Sequence, residues 1–341
     1  MDFEAQGIRR MSQLDRLPWF RTGEYGLQLR EDSGVPPVLD VHAHVGWSFG
    51  FARSVEYTSR PPVKYFYDYE EAQDVLFDEH HPFPKETEII GAEMRLSLFK
   101  LGESSATHTA SNLIGEGALY NYSKICLLPI EGPIASRHAK DTMAASKLDS
   151  KFIPFAAVHP WPWGTEKVRA LKALLDQGAP AVKYHPEFQF IAPDNPHMRQ
   201  MFAWCESHGV PILAHCGYTG AEPGWLRAKA EPDQFRAVLR DFPKLKLLLA
   251  HTGLSRWEQT LDVVQGHEEH AWIDISGQPA NVIRTILDRY DHQRICYGSD
   301  WPFYPIAVAM ARPLVATHDR PDLWPDLFYN NAARFLGMPS L

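Results

Sequence analysis

Residues 36–46 read PPVLDVHAHVG, and the interpretation of the whole chain starts from this stretch. It is a short apolar run, typical of a buried strand, that ends in His42 and His44. Since side chains alternate along a strand, both imidazoles point to the same face and can approach one cation. A single His-x-His pair is equally compatible with a structural role, because buried histidines bonded to a backbone carbonyl are common. The residues that end the other predicted strands distinguish between the two interpretations.

Seven further apolar runs follow, and longer segments of helical periodicity separate them. They are SKICLLPI (123–130), KFIPFAAVHP (151–160), AVKYHP (181–186), PILAHCG (211–217), KLKLLLAHTG (244–253), AWIDISG (271–277) and RICYGSD (294–300). With residues 36–46 the count is eight, the number at which a parallel sheet closes into a barrel with a filled interior. A chain of 341 residues has room for such a barrel. The pattern therefore predicts a single (β/α)₈ TIM-barrel domain over residues 1–341.

The segment 47–122 is far longer than a connection between a strand and a helix requires. It contains an aromatic-rich part at 57–77 and a part with helical periodicity at 85–103. We expect this insertion, between the first and second strands, to form a cap or lid over the mouth of the barrel.

The composition limits the kinds of molecule that we expect the protein to bind. The chain has 34 basic and 42 acidic residues, a formal net charge of -8, and no long run of Lys or Arg, so nucleic acid is not expected. No apolar window long enough to cross a membrane occurs, and no leader-like segment is visible, so a cytoplasmic protein is expected. The four cysteines have no CxxC spacing, which favours reduced, packed thiols. A small-molecule substrate is the expected partner, and a homodimer or higher homo-oligomer is left open.

Polar side chains end several of the predicted strands. In a barrel of this type the active site lies at the carboxyl ends of the strands, so these side chains should share one rim. They are Lys183 and His185 on strand four, His215 on strand five, His251 on strand six and Asp300 on strand eight. Imidazole and carboxylate groups hold Zn²⁺ or Mn²⁺ while leaving a position for water, and His42, His44, His215 and Asp300 supply such a set.

Two further residues at this rim allow a functional or a structural interpretation. His159 ends strand three, where it could contact substrate or a neighbouring loop. Trp301 directly follows Asp300 and could form a pocket wall or pack in the interior.

These motifs resemble those of the amidohydrolase superfamily, and more narrowly the amidohydrolase-related branch that also contains aromatic-acid decarboxylases and lactonases. The resemblance runs from residue 36 to the end of the chain, through DVHAHVG, VKYHP, LAHCG, LAHTG, YGSDWPF and NNAARFLGM. It implies that His42, His44, His215 and Asp300 bind a catalytic divalent metal, with Zn²⁺ expected and Mn²⁺ the alternative. It also implies that His251 handles substrate or a proton.

Lys183 leaves the number of metal ions open. Some members of the superfamily hold two ions bridged by a carboxylated lysine on strand four, and Lys183 stands at a suitable place, with His185 facing the same way. The alternative is a charged Lys183 beside a single ion. We expect one ion, because this branch resembles the mononuclear type.

Two reactions fit this set of residues. In the first, metal-activated water attacks the carbonyl of an amide, ester or lactone, Asp300 accepts the water proton and His251 orients or polarises the carbonyl. In the second, the metal supports non-oxidative decarboxylation of an aromatic or unsaturated carboxylic acid, which an Arg from the insertion, Arg53 or Arg60, would favour. A barrel that only binds a metal or ligand is the non-enzymatic alternative.

Overall fold

The computed structural model describes residues 3, 7–46, 55–70, 74–77, 102–133, 136–218 and 224–341. Much of the predicted cap, including Arg53 and most of the helical part at 85–103, lies outside these ranges.

An antiparallel hairpin of β1 (Phe20–Gly23) and β2 (Gly26–Leu29) precedes eight parallel strands. The parallel strands are β3 (Val38–Ala43), β4 (Tyr122–Leu127), β5 (Phe152–Pro154), β6 (Val182–Tyr184), β7 (Ile212–Ala214), β8 (Leu247–Leu249), β9 (Ala271–Asp274) and β10 (Ile295–Cys296). Each lies within one of the runs that the sequence predicts as strands, apart from the first residue of β4. Their pairing follows chain order, β3-β4-β5 in one sheet and β6-β7-β8-β9-β10 in the other.

Backbone contacts join the two sheets at both edges. At one seam Ala43 bridges to Trp301, and the amide of His44 donates to the carbonyl of Trp301 at 2.7 Å. At the other seam Ala156 bridges to Val182, and Ala156 accepts a hydrogen bond from the amide of Lys183 at 2.8 Å. The eight strands therefore close into a ring, as their number predicts.

Ten α-helices are described, and most of them connect consecutive strands. They are α1 (Ala110–Ala118), α2 (His138–Ala145), α3 (Thr165–Leu175), α4 (Pro196–Ser207), α5 (Gly224–Ala230), α6 (Arg236–Asp241), α7 (Trp257–Val264), α8 (Ala280–Arg289), α9 (Ile306–Ala316) and α10 (Asn331–Leu336). Helix α4 shows why they begin where they do: Asn195 caps it by accepting from the amide of His197, and Pro196 takes the first turn, where no amide donor is needed. Within the described ranges, no helix is both long and apolar enough to cross a membrane.

The described part of the insertion between β3 and β4 packs on the loop that follows β10. The hydroxyl of Tyr69 donates to the carbonyl of Phe303 at 3.0 Å, and the Phe66 and Phe303 rings lie 5.0 Å apart. That loop is at the carboxyl end of the barrel. A cap over the mouth stays a prediction, since much of the insertion lies outside the described residues.

Alternation along the strands places apolar and polar side chains on the same inward face. Leu213 precedes His215 by two residues, and Trp272 precedes Asp274 by two, so each pair shares a face. Leu213, Leu248, Trp272 and Cys296 belong to one buried cluster, which also includes residues of α10. The polar side chains of the rim therefore lie directly above a buried apolar cluster. All four cysteines are buried and form no disulfide, as expected.

Two loops of the rim touch through glycine. Gly217, after β7, has φ +80°, and a Cβ on it would lie 2.1 Å from the carbonyl oxygen of Gly253, after β8. Only a residue without a side chain allows this approach, which holds the loop of His215 against the loop of His251.

We predict that Gly217→Ala lowers the free energy of unfolding by about 3 kcal/mol or more. The left-handed backbone costs an L-residue about 1–2 kcal/mol, and forcing a methyl group into a packed backbone adds a similar amount. Gly209→Ala is the matched control, because Gly209 has φ +66° with open space where a Cβ would lie. Denaturant unfolding should show the control losing only about 1–2 kcal/mol; equal losses would contradict the role of the close approach.

Candidate metal centre

The tautomers of His42 and His44 follow from their neighbours. Nδ1 of His42 lies 3.0 Å from a carboxylate oxygen of Asp274, and Nδ1 of His44 lies 2.8 Å from the carbonyl oxygen of Leu128. Both partners accept, so each Nδ1 carries the proton and each Nε2 keeps its lone pair. The two Nε2 atoms nevertheless lie only 3.2 Å apart.

Asp300 adds a third acceptor to this pair. Its Oδ1 lies 3.5 Å from Nε2 of His42 and 3.4 Å from Nε2 of His44. Ligands at about 2.0–2.1 Å from a tetrahedral Zn²⁺ are separated by about 3.3 Å, so these three distances match one face of such a site. Three converging acceptors fit a divalent cation, and the sequence predicted all three residues as ligands.

The backbone around this triangle of acceptors is strained. Asp300 has φ 55° and His251 has φ 59°, in the left-handed region that residues with side chains rarely adopt. The amide of Asp300 donates to the carbonyl of His42 at 2.7 Å, which holds the strained residue against β3. Strain of this kind persists where the surrounding structure fixes it and is concentrated at functional sites.

Asp274, at the end of β9, organises two of the histidines. One carboxylate oxygen accepts from His42, and the other accepts from the backbone amide of His251 at 2.9 Å and from the hydroxyl of Ser276 at 2.5 Å. The Ser276 oxygen lies 2.8 Å from Nδ1 of His251 and can accept its proton. Sequence reasoning did not single out Asp274, although it ends a predicted strand just as Asp300 does.

His215 lies beside His251 and is not part of the triangle. Its Nδ1 is 3.2 Å from Nε2 of His251, and its Nε2 is 3.5 Å from a carboxylate oxygen of Glu187. His185 stacks on the His215 ring at 4.0 Å, so His185, Glu187 and His215 form a second group of converging ligand atoms. The structure thus brings together three of the four predicted ligands, His42, His44 and Asp300. The fourth, His215, is separated from them by the imidazole of His251. Glu187 directly follows the quoted strand-four run AVKYHP (181–186) and was missed.

Lys183 is the buried cation of the site. Its Nζ lies 3.3 Å from Nε2 of His42, so an ammonium or amine at this position can donate to that lone pair. Burial lowers the pKa of Lys183 to about 8, and the carboxylates of Asp300 and Asp274 oppose this change. Its position at the triangle is compatible with either role that the sequence left open.

Burial sets the charge of the other groups. It lowers the pKa of His44 and of His215 to about 3, and the Lys183 charge adds to the effect. It also raises the pKa of Asp300 well above its usual range, which Lys183 opposes. The imidazoles are therefore neutral at pH 7, as metal ligands must be.

The remaining predicted residues lie further from the triangle. Nε2 of His159 donates to the carbonyl of Gln189 at 2.8 Å, and its Nδ1 accepts from the amide of Trp161 at 3.3 Å, so His159 ties the loop after β5 to the loop after β6. Trp301 is fully buried, and its indole N–H donates to Glu116 at 2.8 Å. Arg60 lines a surface cleft together with Tyr25 and Asn112.

Solved structures similar to this chain share its fold. An uncharacterized TIM-barrel protein from Bordetella bronchiseptica has a TM-score of 0.58 and 18% identity, with 85% of this chain and 99% of that chain covered. A probable 2-pyrone-4,6-dicarboxylic acid hydrolase from Acinetobacter baumannii, with citric acid bound, has a TM-score of 0.55 and 14% identity over 89% and 100%. A variant 5-carboxyvanillate decarboxylase from Novosphingobium aromaticivorans, with bound manganese and 3-methoxy-4-hydroxy-5-nitrobenzoic acid, has a TM-score of 0.57 and 14% identity over 88% and 97%. At these identities the likeness establishes the fold alone.

Family membership rests on the sequence. A comparison with curated protein sequences gives no match. The family model described as amidohydrolase matches residues 136–338, well over half of the chain, which confirms the resemblance over that range. The protein belongs to the amidohydrolase family.

Proposed function

We propose that the chain is a metal-dependent hydrolase that cleaves an amide, ester or lactone bond of a small molecule. The observation that carries this proposal is the triangle formed by Nε2 of His42, Nε2 of His44 and Oδ1 of Asp300, three acceptors 3.2–3.5 Å apart. Uncompensated acceptors at this distance repel one another, and a divalent cation relieves that repulsion. The metal dependence of the family and the bound manganese of one similar structure support the same centre.

His42, His44 and Asp300 would hold the cation, with Zn²⁺ or Mn²⁺ favoured by the mixed imidazole and carboxylate donors. His215 as a fourth ligand stays a prediction. A bound cation of this kind polarises a carbonyl and lowers the pKa of water from 15.7 to about 7. One ion is proposed at His42, His44 and Asp300, because the chain resembles the mononuclear type; His185, Glu187 and His215 form another group of possible ligand atoms.

Asp300 is the proposed proton acceptor. Its Oδ1 faces the two histidines, and its Oδ2 lies on the side of His251, 4.0 Å from Nδ1 of that imidazole. One oxygen can therefore hold the cation while the other takes a proton from water. Burial raises the pKa of Asp300, which makes the carboxylate a better base than an exposed aspartate.

His251 is proposed to orient the substrate carbonyl. Ser276 fixes the Nδ1 side of the ring, and burial lowers its pKa well below the usual range, so the imidazole stays neutral. Because its one N–H is donated to Ser276, the neutral ring keeps a lone pair at Nε2; it can take up a proton there, and it polarises the carbonyl while it carries that proton.

Non-oxidative decarboxylation is the second candidate. The similar manganese-containing structure is a decarboxylase, and so is another similar structure, a 2,6-dihydroxybenzoate decarboxylase with 16% identity and a TM-score of 0.54. The raised pKa of Asp300 also suits a group that delivers a proton to carbon. The same centre would then hold the substrate carboxylate.

We predict that Asp300→Asn lowers kcat/KM for lactone hydrolysis by about 10²–10⁴-fold, the range that general base catalysis contributes. Dihydrocoumarin is a suitable lactone probe, assayed at saturating Mn²⁺ so that weaker metal binding by the amide does not limit the rate. The circular dichroism spectrum should stay that of the wild type. Full activity of this variant would remove Asp300 from the mechanism.

We predict that the protein, once a chelator has removed its metal, binds about one Zn²⁺ or Mn²⁺ per chain. His44→Ala should weaken this binding by at least about tenfold. Even residues that only support a metal ligand contribute about 10–100-fold to affinity. Competition with a chromophoric chelator measures the affinity. His159→Ala is the control, since His159 lies at the same rim but bonds to the backbone of Gln189 and Trp161. Equal affinities in the two variants would argue against the triangle, and two ions per chain would argue for a second site.

We predict that dihydrocoumarin is hydrolysed with incorporation of oxygen-18 from labelled water, and that 2,6-dihydroxybenzoate releases no CO₂. Mass spectrometry of the ring-opened product and a coupled assay for CO₂ give the two readouts. The opposite pattern, CO₂ release without hydrolysis of the lactone, would show that the protein is a decarboxylase and not a hydrolase.

A further inference from the structure

Glu116, on helix α1, accepts three hydrogen bonds, one from Tyr65 and two from residues 301–306. Its Oε2 accepts from the hydroxyl of Tyr65 at 2.6 Å and from the indole N–H of Trp301 at 2.8 Å. Its Oε1 accepts from the backbone amide of Ile306 at 2.8 Å. All three donors are uncharged. Although Glu116 borders a surface cleft, burial raises the pKa of its carboxyl group, so its ionised form carries a desolvation cost.

Two of the three donors belong to the segment that carries Asp300. Trp301 is the next residue, and its carbonyl accepts from the amide of His44 at 2.7 Å. Ile306 begins helix α9, where the same segment ends. Glu116 therefore anchors residues 301–306 from helix α1, while the carbonyl of His42, on β3, anchors the amide of Asp300.

Because the backbone of Asp300 is strained, these hydrogen bonds are needed to keep the segment in place. At φ 55° an aspartate is less stable by about 1–2 kcal/mol than in an ordinary conformation, and the segment would relax if its anchors were removed. A shift of this loop moves Oδ1 of Asp300 away from the histidine pair.

A carboxylate suits this position better than an amide does. Both of its oxygens only accept, so it can satisfy Tyr65, Trp301 and Ile306 together. A glutamine has one acceptor oxygen, and its NH₂ group would face a donor at one of these contacts. The negative charge at the start of α9 is also favoured by the helix dipole.

We propose that Glu116 is a positioning residue for Asp300, which it keeps in the geometry of the metal centre through Trp301 and the start of helix α9. This inference rests on the proposed function, since it takes Asp300 as a ligand and proton acceptor. Glu116 itself contacts none of the three ligand atoms of the triangle.

The test is the affinity of the full-length protein for Mn²⁺, measured by chelator competition, in Glu116→Gln and in a matched control. We expect Glu116→Gln to weaken the affinity by about tenfold or more, within the 10–100-fold range of residues that orient metal ligands. In the dihydrocoumarin assay kcat should fall while KM stays within about twofold of the wild type, because the substrate is not contacted.

Glu131→Gln is the matched control. Glu131 is also buried with a raised pKa, and its carboxylate accepts from the amide of Ala139 at 2.6 Å in the first turn of helix α2. It has the same helix-capping role without a bond to residues 299–306, so its Mn²⁺ affinity should stay close to that of the wild type. An equal loss in both variants would mean that capping alone matters and would overturn the proposal.

Trp301→Phe removes the indole donor together with part of a buried ring, and it reports on the link even where Glu116→Gln folds poorly. We expect it to weaken Mn²⁺ binding, and the double variant to lose no more than the larger single loss, because both changes break one connection. Additive losses, or an unchanged affinity in either single variant, would contradict the proposal. If the wild type binds Mn²⁺ but leaves dihydrocoumarin intact, the proposed hydrolysis fails while the affinity test still decides the role of Glu116.

Discussion

The constraint on which the site depends is the convergence of three acceptor atoms that lie 3.2–3.5 Å from one another. Asp274 and the carbonyl of Leu128 accept the Nδ1 protons of His42 and His44, and this leaves both Nε2 lone pairs facing Asp300 at 3.4–3.5 Å and each other at 3.2 Å. Such an arrangement is unfavourable in a protein interior unless positive charge compensates it. Lys183 supplies part of that charge, and on the proposed function a divalent cation supplies the rest.

The apolar floor of the barrel gives this arrangement its chemical effect. Leu213 and Trp272 precede His215 and Asp274 on the same inward faces, so the polar rim is desolvated from below. Desolvation is the largest cause of the lowered pKa values of the histidines and of the raised pKa of Asp300. The residues that build the barrel therefore also set the protonation states that ligand binding and proton transfer require.

The sequence predicts the strands and the rim well, because both depend on short-range patterns. Short continuous apolar runs and the polar residue at the end of each run are local features, and they place His42, His44 and Asp300 together at one rim. Asp274 carries the same local signal in AWIDISG and could have been included. Glu116 could not have been predicted in this way, because it lies on a helix and its hydrogen bond to Trp301 forms only in the folded chain. The position of His215 beside His251 depends on the close approach of Gly217 and Gly253, which no periodicity encodes.

The triangle also sits on the seam where the first and last barrel strands meet. His42 and His44 come from β3, Asp300 follows β10, and the bonds that close the ring here, from His44 to Trp301 and from Asp300 to His42, run between the same residues or their immediate neighbours. The triangle of acceptors is thus complete only once the barrel is closed. Under the proposed function, a cation that binds only the closed form would stabilise it by an amount that grows with the logarithm of its concentration over its dissociation constant. Binding of the metal and closure of the barrel would then be one linked equilibrium, and the loop strain at Asp300 would be sustained by the fold as a whole.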